Sequence, residues 1–149
     1  MSKRSSNGFT LVEILIVVVI LGILAAIVIP QFTNASESAK ASSVVTQLQN
    51  IRSQLELYQV QHNGTYPDLV TNWDQVTQTT DAAGATTGTD YGPYLQQAPK
   101  NGFTNSNNVV ASPGPGTTSD GWVYNQATGA ITAVGFDEDT FAYTPPAAP

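Results

Sequence analysis

The sequence predicts an α+β protein in which one long N-terminal helix packs against a small antiparallel β-sheet head. Three observations predict it. Residues 9–29 form an apolar run whose single charge is Glu13. Beyond it an apolar stripe continues at Val44, Leu48, Ile51, Leu55 and Tyr58, spaced by fours and threes as one helix face requires. The last third of the chain then changes to short alternating segments bounded by Gly, Pro and Asn, the pattern of strands and turns. The chain therefore divides into a polar segment at 1–8, an apolar helix at 9–29, its amphipathic continuation at 30–62 and a head at 63–149.

Composition narrows the function. The chain has 149 residues, 5 basic against 11 acidic side chains, and a formal net charge of −6. After the apolar run the cations are Lys40, Arg52 and Lys100, so the head is not built to attract nucleic acid. Cysteine is absent, which excludes disulfides and thiolate metal sites. Charged residues make up 11% of the chain, well below the usual quarter or so of soluble domains; Gly, Thr, Asn, Gln, Ser and Ala fill the surface instead. With one histidine, no phosphate-cradling glycine loop and no carboxylate pair, nothing supports an enzyme.

The first element is the apolar run. As a helix, residues 9–29 span roughly 30 Å, about one hydrocarbon thickness. Lys3 and Arg4 precede it, which places the N-terminus in the cytoplasm and the rest outside. An ordinary secretory signal would have an apolar region of roughly 7–15 residues and a small-residue cleavage site. This run is longer and carries an acid. A plain single-span anchor accounts for the length but not for Glu13, because leucine would anchor better. The helix N-terminus favours a negative charge. Even so, a carboxylate in the membrane implies a neutralising partner. No Lys, Arg or His lies elsewhere in the run, so the partner is on another chain or is a new terminal amine made by cleavage nearby. Gly22 and Ala26 have the small-xxx-small spacing that permits close helix approach, and are also ordinary membrane-helix composition.

Pro30 removes one backbone hydrogen bond and predicts a kink, after which the helix resumes. Gln47, Gln49, Asn50, Gln54 and Gln61 lie opposite the apolar stripe. The whole helix would cover about 54 residues, roughly 80 Å if straight. A coiled-coil seam would need three or four heptads, and the stripe lasts about two. His62-Asn63-Gly64 ends the helix, with Asn or Gly in the left-handed cap and the histidine at the negative end of the dipole. Asn63-Gly64-Thr65 and Asn34-Ala35-Ser36 also match the glycosylation sequon, though capping explains the first better.

In the head, Tyr66 and Leu69 are expected to dock on the helix stripe. Residues 71–92 read as a loop with little structure of its own, pinned by Trp73. Ser112–Gly116 is a turn cluster. Trp122 and Tyr124 share one face of a strand, Asn125–Gly129 is its turn, and Ala130–Val134 is the returning strand. The tail from Thr144 should be extended and mobile. Asp137, Glu138 and Asp139 form the acidic cluster. They read as a solvated turn, with calcium as the other reading; calcium takes about 6–8 oxygens, and the EF-hand spacing is absent.

A basic leader ending in Gly8, then Phe9-Thr10-Leu11-Val12-Glu13, an apolar helix and Pro30, resembles the class III signal of type IV pilins and of the pseudopilins of type II secretion. Gly8, Phe9, Thr10, Leu11, Glu13 and Pro30 all match that pattern. Asn63–Leu69 (NGTYPDL) is similar to a stretch of the major pseudopilins. Tyr91–Phe103 is similar to their Tyr-Leu-x-x-x-Pro-Lys segment, without the Pro-Trp or Pro-Leu that often follows it. The Gly-Trp-x-Tyr hairpin is similar too, although a generic hairpin gives the same pattern.

The resemblance implies a pilin fold and a structural role. Residues 1–8 would be a leader that a prepilin peptidase removes between Gly8 and Phe9, N-methylating Phe9. The new Phe9 amine would pair with Glu13 of a neighbouring subunit in a homopolymeric filament. The helix would sit in the inner membrane, or in the filament core, with the head periplasmic. An assembly platform and minor pilins or pseudopilins would be partners, nucleic acid would not, and no cofactor would be needed. Some relatives bind calcium through a C-terminal loop, which does not align here residue by residue. The chain looks most like a major pseudopilin of type II secretion. A type IV pilus pilin serving adhesion, motility or DNA uptake is the alternative. The lack of cysteine and the Tyr-Pro stretch favour the pseudopilin, and the acidic body weakens DNA uptake. A membrane-anchored binding module that never polymerises is disfavoured by the leader and by Glu13.

Overall fold

The computed structural model describes residues 8–148. The leader residues 1–7, including Lys3 and Arg4, lie outside the described residues. The α+β architecture is as expected. Helix α1 runs from Leu11 to Gln61, 51 residues, and includes Pro30 without interruption. Pro30 has no N–H to offer the carbonyl one turn back. Just beyond it, the Thr33 hydroxyl donates to the Ile29 carbonyl at 3.2 Å.

The described residues form two compact units, one ending at Glu37 and the other beginning at Ser38. In the first, the side chains from Leu11 to Phe32 are exposed. By length and composition this part of α1 can cross a membrane.

The second unit has its own core. Here α1 buries Ala41, Val44, Leu48, Ile51, Leu55 and Tyr58, the expected stripe with one more turn at its start. Leu69, Trp73, Val76, Trp122, Tyr124, Ile131 and Phe136 join them in one cluster, and Tyr66 packs against it. Each large side chain buried this way contributes roughly 1.5–3 kcal/mol of transfer free energy. The remaining elements are α2 (Asp74–Thr77), β1 (Val109–Ala111), β2 (Trp122–Asn125), β3 (Ala130–Ala133), β4 (Phe136–Asp137) and β5 (Ala142–Tyr143).

One sheet has the order β1-β2-β3 and the other pairs β4 with β5. The hairpin β2–β3 is antiparallel as expected, with Tyr124 opposite Ile131. The head is not wholly antiparallel, however: β1 runs parallel to β2, with Val109 opposite Trp122. A parallel pair needs a connection that travels back along the strand. Residues 112–121, with the Pro and Gly turns at their start, make that return.

Segment 71–92 is more ordered than its composition suggests. It contains α2 and a bridge between Thr80 and Tyr91. Trp73 pins it as expected, its indole N–H donating to the Asn107 carbonyl at 2.7 Å. The tail is also held at two points. Thr144 N–H donates to the Gly135 carbonyl at 2.8 Å, and Thr118 N–H to the Ala147 carbonyl at 3.3 Å.

Candidate functional site

Gly8, Phe9 and Thr10 precede α1 in exposed, irregular backbone. Phe9 itself is 84% exposed. Glu13 also caps the start of α1. Its Oε2 accepts from the Thr10 backbone N–H at 2.8 Å and from the Thr10 hydroxyl at 2.7 Å. In return, the Thr10 Oγ1 accepts from the Glu13 N–H at 3.2 Å. This is a capping box, in which an N-cap Thr and an acid three residues on satisfy the orphan donors at a helix start. The spacing Thr10-x-x-Glu13 is the signal that could have found it. Gly22 and Ala26 sit on exposed helix, and nothing approaches the position a Cβ would take at Gly22.

At the other end of α1 the cap is as expected. Asn63 and Gly64 have φ of 54° and 81°, the left-handed values of a helix stop. His62 stands at the helix end as expected, its N–H donating to the Tyr58 carbonyl. It is buried, and its ring stacks on Tyr58 with centroids 3.7 Å apart. Its Nδ1 lies 2.8 Å from the Tyr58 carbonyl and its Nε2 2.9 Å from the Thr80 hydroxyl. A carbonyl only accepts, so Nδ1 carries the hydrogen there. His62 thus ties the helix end to segment 80–94, where Tyr94 donates to Gln61 Oε1 at 2.6 Å.

The structure does not pool the acidic cluster. Arg52 makes a bidentate contact with Glu138, at 2.8 Å and 2.6 Å, and also donates to the Ile131 carbonyl at 2.7 Å. Hydrogen bonding to Glu138 raises the already high pKa of the guanidinium. Asp137 instead turns back on its own loop and accepts from the Asp139 and Thr140 N–H groups. Those bonds hold its carboxyl below the usual carboxylate range. Among the described residues, no group of three or more His, Asp or Glu side chains is placed to hold a metal ion.

Residues 3–29 match the prokaryotic N-terminal methylation motif, which defines the class of protein. Residues 31–128, well over half of the chain, match the type II secretion system (T2SS) protein G family. The chain belongs to that family. It is 32% identical over 114 residues to the type II secretion system core protein G of Aeromonas hydrophila, covering 76% of this chain and 78% of that one. The Klebsiella pneumoniae protein of the same name is 31% identical over 111 residues, 74% of this chain and 78% of the relative. The Pseudomonas aeruginosa protein is 43% identical over 67 residues, 45% of this chain and 46% of the relative. No solved structure matches this chain at a significant level.

Proposed function

We propose that this chain is the major pseudopilin of a type II secretion system, a non-enzymatic structural subunit of a membrane-anchored filament. The observation that carries this reading is the protein G family match over residues 31–128. In this reading the leader is removed between Gly8 and Phe9, and Phe9 is N-methylated and faces Glu13 of the next subunit. The physics supports that pairing. The capping box uses Glu13 Oε2, which leaves Oε1 to accept from an incoming ammonium group. The uncovered apolar side chains from Leu11 to Phe32 need lipid or further copies of the same helix around them. The N-terminus then lies on the cytoplasmic side and the head outside. An assembly platform and minor pseudopilins are the expected partners.

Intact-mass and N-terminal analysis of the mature protein test this directly. An N-methylated Phe9 terminus is the expected result, and an unprocessed Met1 or Ser2 terminus contradicts the reading. A second reading, a type IV pilus pilin, is favoured by 44% identity over 54 residues to the type IV major fimbrial protein FimA of Dichelobacter nodosus, which covers only 36% of this chain. Deletion separates the two: loss of exoprotein release marks a pseudopilin, and loss of surface pili marks a pilin.

A further inference from the structure

We propose that the two flanks of the head are complementary: the tip of the β4–β5 hairpin, Asp139 with Phe141, seats in a groove on the head of a second copy of this chain. The inference rests on the filament reading above.

The groove holds about 680 Å³ and is lined by Gln47, Asn50, Leu95, Gln97, Pro99 and Lys100 among others, with Lys100 its only charged lining residue. Among the described residues, no anion pairs with Lys100 in the groove.

The hairpin tip offers the converse. Phe141 is 56% exposed and has a φ of 55°. For a non-glycine residue that conformation costs roughly 1–2 kcal/mol. Within its own chain the Phe141 ring meets Phe136 edge-on, with centroids 6.1 Å apart, and its remaining surface faces solvent. Asp139 beside it is exposed, and among the described residues the one ion pair is Arg52–Glu138, so neither Asp139 nor Lys100 is neutralised. The tip is also held firmly. Glu138 is clamped by Arg52, and Asp137 closes the turn.

Placement makes the pair suited to a polymer. On a helix turning about 100° per residue, the buried stripe of Val44, Leu48, Ile51 and Leu55 has Gln47 and Asn50 on one flank. Arg52, which anchors the hairpin, lies on the other flank. The hairpin's anchor and the groove-lining Gln47 and Asn50 thus lie on opposite flanks of the α1 stripe. Two different patches that fit each other join copies head to tail, and such contacts propagate into open helical arrays instead of closing a dimer. The opposite charges of Asp139 and Lys100 set the register.

The chain has no cysteine, so paired cysteines report the contact cleanly. In the full-length protein assembled in membranes, the Asp139→Cys/Lys100→Cys double variant should give a ladder of disulfide-linked multimers under mild oxidation, while each single variant should not. Filaments visible by electron microscopy but yielding no ladder would overturn the proposal. If the unaltered chain, though processed, forms no filaments at all, the filament reading fails and the inference falls with it. In a second arm, Asp139→Lys or Lys100→Glu alone should lower filament yield roughly fivefold, as expected for one interfacial ion pair. The combined reversal should restore yield, which separates a lost contact from misfolding. Single reversals that assemble like the unaltered chain would also overturn it.

Discussion

Asn101 has no solvent exposure and satisfies its whole amide on backbone. It donates to the Gly121 and Val134 carbonyls and accepts from the Phe103 N–H. Asn101→Ala removes the Asn101 partner of the Val134 carbonyl and the Phe103 N–H, while the Gly121 carbonyl still accepts from the Val134 N–H; a loss of roughly 2–4 kcal/mol is expected from equilibrium denaturation of the detergent-solubilised chain. Nothing in the sequence marked Asn101, because an Asn-Gly pair reads as a turn and gives no hint of burial. Tyr124 is a second such residue. Its hydroxyl donates to the Pro67 carbonyl at 3.0 Å, and burial pushes its phenol well above the ordinary range. The folded state therefore keeps a proton that the unfolded state releases near pH 10. Stability from this group is complete below about pH 10 and falls as pH rises further. Tyr124→Phe should cost about 1 kcal/mol at neutral pH. It should also flatten the alkaline decline, as read from unfolding midpoints across a pH series.

At the scale of elements, α1 was legible because its two periodic signals lie in one local stretch: apolar all round, then apolar on one face. The β2–β3 hairpin was legible for the same reason. Gly129 closes it with a φ of 71°, and a Cβ there would run into the Tyr66 ring. Gly129→Ala should therefore cost at least about 1 kcal/mol and displace Tyr66, which near-ultraviolet circular dichroism would report. What escaped the sequence is what depends on distant residues. The parallel β1 is three residues long and is defined only by its partner. Helix α2 is a single turn in a Thr- and Gly-rich stretch, and no local periodicity announces one turn. The Arg52–Glu138 pair spans 86 positions and could not be read from spacing.

For the whole molecule, the filament reading gives Glu13 an assembly role beside the local capping role it already fills. Glu13→Leu should leave membrane insertion intact, because it removes the one charge of the apolar run. Filament formation should fall sharply, as followed by electron microscopy alongside membrane fractionation. Filaments unchanged by Glu13→Leu would show that its capping role is its whole role. The N-terminal methylation motif was legible at Gly8, Phe9 and Glu13, and the capping box is written in the Thr10-x-x-Glu13 spacing. Arg52 has one more consequence at this scale. Strand β3 is an edge strand, and an open edge is a template on which other chains add strands and aggregate. The bond from Arg52 to the Ile131 carbonyl occupies an acceptor on that edge. That acceptor is thereby closed to the backbone N–H of an added strand.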